Sequence, residues 1–342
     1  MRVGIIGTGA IAGKHAQAYR NIGYHVVACT NRTPERGQQF AATWGADFVA
    51  TPQELCRHPR VDFVDVCTFP AYRLEAVELC AQSAKHVLVQ KPMAVDLETA
   101  ARMISVARQA GIQLGVVSQH RFDDSMLFLQ RAIAQGRLGK IIQADAYVKW
   151  YRSAEYYSRP IKASWAVEGG GALINQAIHQ VDLLLHLMGD VQQVFGYWQL
   201  GALHKIESED LVCAVMRYAS GATGVVQAAT ALWPGYPERL EIHGTRGTAI
   251  VTGDQLTSWD VQDDSGDPAP VVQKAASGAS DPMAISLTPF ERQFLDFGEA
   301  VKTGRPPACS GQDGYRALQL VRSIYDSCAQ GRSIEIVKAK LV

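Results

Sequence analysis

Two kinds of segment alternate along the first third of the chain. Short runs of apolar residues predict buried strands, and longer stretches with apolar residues every three or four positions predict amphipathic helices. Strands are expected at residues 2–7, 25–30, 47–49, 62–68, 86–90 and 113–117, and helices at 10–22, 34–44, 72–84 and 97–110. Apolar strands separated by helices are typical of a doubly wound parallel sheet, because helices cover both faces of such a sheet.

The pattern changes after about residue 121. Apolar and polar residues now alternate in segments that glycine-rich turns separate, which predicts a mainly antiparallel sheet. Its strands are expected at residues 140–151, 191–200, 210–219, 223–232, 239–245 and 247–253, and further helices at 126–137, 171–187, 288–303 and 312–330. Residues 265–282 are rich in Gly, Pro, Ser and Ala and predict a loop.

The sequence therefore predicts an α/β protein of two domains, as its 342 residues also favour. The first, in residues 1–121, is a Rossmann domain with a doubly wound parallel sheet. The second, in residues 122–342, is an α+β domain with a large, mainly antiparallel sheet that helices cover on one face. The open face carries Val, Trp, Tyr and Phe, and we expect it to join copies of the chain.

Composition excludes several classes of function. Hydrophobic residues make up 47% of the chain and charged residues 19%, and the 33 Lys and Arg equal the 33 Asp and Glu in number. No basic stripe is available for nucleic acid or an anionic membrane. Seven scattered cysteines without a CxxC motif predict reduced thiols, no metal site and a cytoplasmic location. We find neither a secretion signal nor an apolar run of about 18 residues that would span a membrane.

A glycine motif lies directly after the first predicted strand. Gly7-x-Gly9-x-x-Ala12 permits a tight turn, a close approach of backbone to a pyrophosphate, and tight helix packing. The amides of Ala10 and Ile11 begin the following helix and would bind phosphate oxygens. The position of the motif at the start of a strand–helix–strand unit favours a dinucleotide site over a purely structural turn.

The end of the second predicted strand bears on the choice of cofactor. NAD-binding sites usually place an acidic residue there, whereas residues 29–33 read Cys-Thr-Asn-Arg-Thr with no acid before Glu35. Arg32 could bind a 2′-phosphate or stack on adenine, and Asn31 could donate a hydrogen bond. An ordinary solvated arginine is the alternative. We expect NAD(P), with NADP favoured over NAD.

Lys91 ends the fifth predicted strand, in the segment "VLVQKPMAVD". Pro92 stops further strand pairing, and the carboxyl edge of a parallel sheet is where ligands bind. Lysine changes its protonation state readily when desolvated. Lys91 is therefore either a solvated surface charge or a catalytic acid/base, and the nearby dinucleotide motif favours the latter. Thr68 and Gln90, at neighbouring strand ends, are also expected to contact the cofactor.

The helix predicted at 171–187 carries a second candidate group. Asn175 and His179 are four residues apart and therefore on one face, so His179 could exchange a proton while Asn175 binds a hydroxyl. A structural core histidine is the alternative for His179. His120, after the sixth strand, is a further candidate for the substrate pocket.

Aromatic and basic residues lie upstream of that helix. Aromatic faces stack on sugar rings, and an arginine can hold a carboxylate or phosphate. Side chains in an alternating strand are equally often plain core, so both interpretations stay open. The candidate substrate residues here are Trp150, Arg152, Tyr156 and Trp165.

Several segments together resemble the Gfo/Idh/MocA family, the glucose-fructose oxidoreductase and inositol dehydrogenase group. They are "GIIGTGAIAGKHA", "AKHVLVQKPMA", "GGGALINQAIHQVDLLLHLMGD" and the closing "FLDFGEAVKTGRPP" with "SGQDGYRALQLVRSIYDS". The resemblance covers essentially the whole chain. It implies a Rossmann domain and an open-sheet domain, NAD(P)-dependent chemistry on sugars, polyols or sugar acids, and dimers or tetramers formed through the open sheet.

The resemblance also implies catalytic roles for Lys91, His179 and Asn175, with three departures from the family pattern. Gln90 stands where the family has the glutamate of Glu-Lys-Pro, and Asn175 stands where it often has an aspartate. Arg73, with Phe69-Pro70, replaces a usual Pro-Asn and histidine. Because a glutamine cannot favour a charged lysine as a glutamate would, we expect a lower pKa for Lys91 and a lower pH optimum for oxidation.

These residues predict hydride transfer between a nicotinamide cofactor and a secondary hydroxyl or keto group of a sugar, polyol or sugar acid. Two alternatives stay open. One is a glycosidase that oxidises and re-reduces its substrate with bound NAD. The other is a non-catalytic sensor that binds dinucleotide, since Gln90 and Asn175 both replace acids.

Overall fold

The computed structural model describes residues 1–159, 161–270 and 286–338. They form two compact units. The first unit contains residues 1–119 and 287–315, and the second contains 120–159, 161–270, 286 and 316–338.

The first unit is built on a six-stranded sheet in the order β3-β2-β1-β4-β5-β6, with all neighbouring strands parallel. This is the Rossmann strand order. The strands are β1 (Arg2–Ile6), β2 (His25–Thr30), β3 (Asp47–Phe48), β4 (Phe63–Val66), β5 (His86–Val89) and β6 (Leu114–Val116). The helices are α1 (Ala10–Asn21), α2 (Pro34–Trp44), α3 (Pro52–Cys56), α4 (Arg73–Gln82) and α5 (Leu97–Gln109), with a 3₁₀ turn at Pro70–Tyr72.

The second unit is built on an eight-stranded sheet in the order β13-β12-β11-β7-β10-β9-β8-β14. Its pairs are antiparallel except for β7 and β10, which run parallel. The strands are β7 (Ile141–Lys149), β8 (Val191–Leu200), β9 (Glu209–Tyr218), β10 (Thr223–Ala229), β11 (Arg239–Gly244), β12 (Gly247–Thr252), β13 (Gln255–Val261) and β14 (Ile334–Glu335). The helices are α6 (Asp124–Ala134) and α7 (Ile178–Met188), with a 3₁₀ turn at Gln119–Phe122 at the unit boundary.

Two helices close the chain, α8 (Thr288–Thr303) and α9 (Gly311–Gln330). Helix α8 belongs to the first unit, which corrects the expectation that all of residues 122–342 form one domain. The reason is aromatic packing: the ring of Phe294 lies 4.3 Å from that of Tyr19, and the ring of Phe297 lies 5.2 Å from that of Phe63. Helix α8 thus completes the core that α1 and β4 begin.

The predicted fold class is confirmed, and most predicted elements are present. The sequence patterns missed β13, β14 and the short helix α3. The helix predicted from residue 171 begins instead with a π-helical turn at Leu173–Ala177 and continues as α7. Residues 265–270 of the predicted loop lack regular structure, and its remaining residues 271–282 lie outside the described part of the chain.

The second sheet has one covered and one open face. Helix α7 packs on β7, and the side chains of Ala214 and Met216 in β9 are buried beneath the helical layer. On the opposite face Val215 is 55% exposed and Tyr197 is 68% exposed. Among the described residues, no helix is both long enough and apolar enough to cross a membrane.

Candidate active site

The glycine loop between β1 and α1 has the geometry of a phosphate site. Gly7 has φ +89°, and a Cβ there would lie 3.1 Å from Thr68 Cγ2. A Cβ at Gly9 would meet no atom within 4 Å. Gly9 is the N-cap of α1, no side chain caps that helix, and its first turn contains no acid. The amides of Ala10 and Ile11 therefore begin a helix whose positive end can accept an anion.

Polar groups at the neighbouring strand ends fit a dinucleotide. The Oγ1 atom of Thr68 is buried and has no hydrogen-bond partner among the described residues. Asn31 donates from Nδ2 to Thr8 Oγ1 at 2.5 Å and accepts from the amide of Thr33 at 2.9 Å, which links the end of β2 to the glycine loop. The guanidinium of Arg32 is exposed and lies 6.0 Å from the ring centre of Tyr72.

The backbone on either side of Lys91 is held by buried polar groups. The amide of Lys91 donates to Gln90 Oε1 at 3.1 Å. Arg73 donates from Nε and Nη2 to the carbonyl of Thr68 at 3.0 and 2.6 Å, and from Nη1 to the carbonyls of Gln90 and Pro92. Arg73 is 3% exposed, and burial lowers the pKa of its guanidinium. From the sequence, Arg73 was only a departure from the family pattern. In the structure it holds the backbone before and after Lys91 through the carbonyls of Gln90 and Pro92.

In the second unit, Asn175 and His179 lie on one side of the π turn and α7. Both are half-buried, whereas the remaining residues from 171 to 180 are buried. Asn175 donates from Nδ2 to the carbonyl of Gly170 at 3.1 Å and lies 3.5 Å from Glu168 Oε2. The carboxylate of Glu168 also accepts from Lys162 Nζ at 2.6 Å and is 3% exposed. An acid therefore stands beside Asn175, although residue 175 itself is an amide.

The two candidate histidines of this unit are neighbours. The rings of His120 and His179 are 5.1 Å apart and nearly perpendicular. His120 Nδ1 contacts Asp123 Oδ2 at 2.8 Å, which leaves Nε2 as the other polar atom of the ring. Buried hydrogen bonds of 2.7 and 2.5 Å between Arg121 and Asp182 fasten the 3₁₀ turn to α7. The carboxylate of Asp182, one turn beyond His179, thus binds Arg121.

A second cluster contains three of the predicted substrate residues. The guanidinium of Arg152 lies 4.8 Å from the ring centre of Trp150 and 5.6 Å from that of Tyr156. Gln176 donates from Nε2 to the Tyr156 hydroxyl at 3.1 Å. Trp150 Nε1 and Gln176 Oε1 are buried, and neither atom has a hydrogen-bond partner in the described chain. One donor and one acceptor are thus available to a polar ligand. Gln176 was not predicted, because its spacing differs from that of Asn175 and His179.

Trp165 has different surroundings. Its ring contacts Trp198 at 5.8 Å and Tyr325 at 5.2 Å, and its indole Nε1 donates to the carbonyl of Glu207 at 3.1 Å. These contacts describe a packed aromatic cluster. The structure therefore brings Trp150, Arg152 and Tyr156 together, whereas the ring contacts of Trp165 are with Trp198 and Tyr325.

Glu209, at the start of β9, holds the entrance of the π turn. Its buried carboxylate accepts from the amides of Gly171 and Leu173 and from the Tyr325 hydroxyl, each at 2.8 Å. A Cβ at Gly171 would collide with the Glu209 carbonyl, which explains the glycine at that position. Burial raises the pKa of Glu209 to about 7. This anchor positions the segment that carries Asn175 and His179. No sequence pattern marks Glu209, because its partners are distant along the chain.

Comparison with known proteins decides the family. The oxidoreductase family with an NAD-binding Rossmann fold, GFO/IDH/MocA, matches residues 1–118, and the GFO/IDH/MocA C-terminal domain matches residues 126–250. The chain belongs to the Gfo/Idh/MocA family. The predicted family and the predicted enzyme class, an NAD(P)-dependent dehydrogenase or reductase acting on CH–OH groups, are confirmed.

Relatives within the family align along nearly the whole chain. The myo-inositol 2-dehydrogenase of Thermotoga maritima and the 1,5-anhydro-D-fructose reductase of Ensifer adhaerens are each 28% identical, and each alignment covers 98% of both chains. The WlbA dehydrogenase from Bordetella pertussis, solved in complex with NADH and UDP-GlcNAcA, is 28% identical. Its TM-score is 0.86, and the superposition covers 99% of both chains.

The raised pKa of Glu209 predicts how stability depends on pH. A carboxyl group whose pKa is higher in the folded state than in the unfolded state stabilises the fold fully below its unfolded pKa of 4.5, and this contribution is lost as pH rises through about 7. Between these values the wild type should lose up to about 3 kcal/mol of unfolding free energy relative to Glu209→Gln.

Urea unfolding of both proteins from pH 4 to pH 8 measures this difference, with Glu155→Gln as an exposed control. The unfolding free energy of wild type minus that of Glu209→Gln should fall as pH rises to about 7 and then stay constant. Parallel stability curves would show that Glu209 does not titrate in this range.

Proposed function

We propose that the chain transfers a hydride between NAD(P) and a secondary hydroxyl or keto group of a sugar, polyol or sugar acid. One observation carries the proposal. The uncovered N-terminus of α1, the unpartnered Thr68 hydroxyl and Lys91 follow β1, β4 and β5, which are neighbouring strands of one parallel sheet. Ligands of such sheets bind at the carboxyl ends of the strands, so phosphate-binding and proton-transferring groups share one edge.

The bound nicotinamide supplies the hydride acceptor or donor. In oxidation, the neutral amine of Lys91 takes the proton of the substrate hydroxyl; in reduction, the ammonium returns it. His179 is proposed to hold or return a proton in the same reaction, since imidazole changes its charge near neutral pH. Asn175 is proposed to bind a substrate hydroxyl through its carboxamide.

The substrate class is proposed from the second cluster and from the relatives. Trp150 Nε1 can donate to a hydroxyl and Gln176 Oε1 can accept from one. The ring of Tyr156 can pack against a sugar, and Arg152 can hold a carboxylate or phosphate. The names of the relatives support a substrate with several hydroxyl groups, since they include myo-inositol, 1,5-anhydro-D-fructose and UDP-GlcNAcA.

NADP is proposed as the preferred cofactor and NAD as the second. The end of β2 offers Asn31 and Arg32 and no acid, so nothing repels a 2′-phosphate and Arg32 can bind it. The NADH bound to the WlbA dehydrogenase favours NAD instead. Turnover with each of the two cofactors distinguishes them.

A homodimer or homotetramer formed through the open face of the second sheet is also proposed. Val225, Val215 and Phe195 are neighbours in register across β10, β9 and β8 on this face. Tyr197 is 68% exposed, and its ring lies 5.0 Å from that of Phe195. Contiguous apolar surface of this kind is typical of an interface between proteins.

Turnover of a panel of sugars, polyols and sugar acids with each cofactor, followed at the nicotinamide absorbance, tests the function. Lys91→Met should lower kcat by about 10²–10⁴-fold, because it removes the general acid/base. Binding of NADPH and NADH, measured by fluorescence, should be retained. Lys302→Met, an exposed lysine of the same unit, is the matched control.

Normal turnover by Lys91→Met would refute the site. Cleavage of glycosidic bonds without net change of the cofactor would favour the glycosidase. Tight cofactor binding without turnover of any panel member would favour a sensor.

Asn31→Asp should reverse the cofactor preference. An aspartate can keep both contacts of Asn31, because Thr8 and Thr33 can each donate to it, and its charge repels a 2′-phosphate while accepting the ribose hydroxyls of NAD. We expect the ratio of kcat/KM for NADP to that for NAD to fall by about tenfold or more, a change of about 1.4 kcal/mol. A ratio that already favours NAD in the wild type would contradict the proposed preference.

Val215→Arg should dissociate the oligomer, because it places a charge in the centre of the open apolar face. Light scattering after size-exclusion chromatography measures the mass. Leu295→Arg, an exposed apolar residue of α8, is the control. An unchanged oligomer in the Val215 variant, or a monomeric wild type, would argue against this interface.

A further inference from the structure

A chain of buried polar side chains lies behind Lys91 in the first unit. Asp65 Oδ2 contacts His15 Nδ1 at 2.7 Å, and His15 Nε2 contacts Gln90 Nε2 at 2.8 Å. Gln90 Oε1 accepts from the amide of Lys91 at 3.1 Å. Asp65 and His15 are fully buried, and Gln90 is 6% exposed. The chain thus links a buried carboxylate to the backbone of the proposed acid/base.

The positions of the protons follow from donor and acceptor chemistry. The amide of Lys91 can only donate, so the atom of Gln90 that faces it is Oε1. The carboxamide therefore presents its NH₂ group to His15, and His15 Nε2 must accept. The proton of the neutral imidazole is then on Nδ1, which donates to Asp65. Only one arrangement of protons gives each of these hydrogen bonds, from Asp65 to the Lys91 amide, one donor and one acceptor.

Asp65, at the end of this series of hydrogen bonds, accepts from two further side chains. The Tyr19 hydroxyl donates to Oδ2 at 2.9 Å, and the Cys67 thiol donates to Oδ1 at 3.5 Å. The rings of Phe290 and Phe294 lie 5.3 and 4.9 Å from the ring of His15. Apolar packing holds the imidazole, and the carboxylate decides which nitrogen carries the proton.

We propose that Asp65 is a positioning residue for Lys91, acting through His15 and Gln90. The inference rests on the proposed role of Lys91 in catalysis. Asp65 fixes the tautomer of His15, His15 fixes the orientation of the Gln90 carboxamide, and Gln90 holds the amide of Lys91. Arg73 binds the carbonyls of Gln90 and Pro92. Together these hydrogen bonds fix the backbone position of Lys91, from which its side chain extends.

The same chemistry makes residues 65 and 90 a matched pair. In Gln90→Glu, a carboxylate oxygen replaces the NH₂ group that faces His15, so His15 must carry protons on both nitrogens. In Asp65→Asn, a carboxamide that can present either its oxygen or its NH₂ group to His15 replaces the carboxylate, so neither tautomer is imposed and the Gln90 carboxamide can turn. Together the two substitutions restore a complete series of hydrogen bonds, with the donors and acceptors at His15 exchanged. His15 Nε2 then donates to residue 90, and Nδ1 accepts from residue 65. The number of buried charges is unchanged.

The test compares wild type, Asp65→Asn, Gln90→Glu and the double variant by NMR. Nitrogen-15 shifts report the tautomer of His15, assigned by the loss of its signals in His15→Gln. Hydrogen exchange reports the amide of Lys91, assigned by its loss in Lys91→Met. We expect an Nδ1-protonated neutral His15 in wild type, a doubly protonated ring in Gln90→Glu, and an Nε2-protonated neutral ring in the double variant.

The Lys91 amide should exchange at least about tenfold faster in Asp65→Asn and return to near wild-type protection in the double variant. In turnover of the best panel substrate, kcat of Asp65→Asn should fall about 10- to 100-fold while KM and NADPH binding stay within about threefold, since misplacement of a catalytic group costs rate and not binding. The double variant should recover most of this loss. Asp260→Asn, at an exposed position, is the control, and thermal unfolding of each variant verifies folding.

Two outcomes overturn the inference. One is a wild-type His15 protonated on Nε2. The other is a Lys91 amide whose exchange is the same in wild type and folded Asp65→Asn. If Asp65→Asn does not fold, the double variant decides. A folded double variant with the Nε2 tautomer of His15 and a protected Lys91 amide supports the inference. A double variant that lacks the tautomer or the protection overturns it. Failure of the proposed function is separate: Lys91→Met would then turn over normally whatever the NMR signals show.

Discussion

The proposed chemistry depends on how the backbone is held where β5 ends. Strand β5 ends at Val89, and the amide of Gln90 makes a last backbone hydrogen bond to the carbonyl of Val66. Beyond it two buried side chains hold the backbone: Arg73 binds the carbonyls of Gln90 and Pro92, and Gln90 binds the amide of Lys91. A flexible lysine side chain can act reproducibly only if its attachment is fixed. The same Arg73 binds the carbonyl of Thr68, so the ends of β4 and β5, which border the dinucleotide edge, are joined by one guanidinium.

Both departures from the acidic family pattern have a buried carboxylate close by. Gln90 is connected to Asp65 through His15, and Asn175 lies 3.5 Å from Glu168, which pairs with Lys162. In each case an amide occupies the position nearest to the proposed chemistry, and the acid lies behind it. An amide both donates and accepts, so it can transmit the orientation that a buried charge imposes without placing that charge at the site.

The sequence predicted the fold class, the glycine loop and the position of Lys91 at a strand end. Each of these depends on a local pattern: apolar strands, glycine spacing, and a lysine that follows a strand. It also predicted the segment that carries Asn175 and His179, though not the π turn. It missed Arg73, Glu209 and the Asp65–His15 pair, whose roles arise from contacts between residues far apart in the chain. The packing of α8 in the first unit was missed for the same reason, since Phe294 and Tyr19 meet only in the folded chain.

The most direct measurement is a crystal structure of the chain with NADPH and the best substrate of the panel. The proposed function predicts phosphates at the amides of Ala10 and Ile11, a hydrogen bond to Thr68 Oγ1, and Lys91 Nζ within about 2.6–3.2 Å of the reacting oxygen. A nicotinamide ring bound away from the ends of β4 and β5, or a Lys91 side chain directed away from the reacting oxygen, would contradict it.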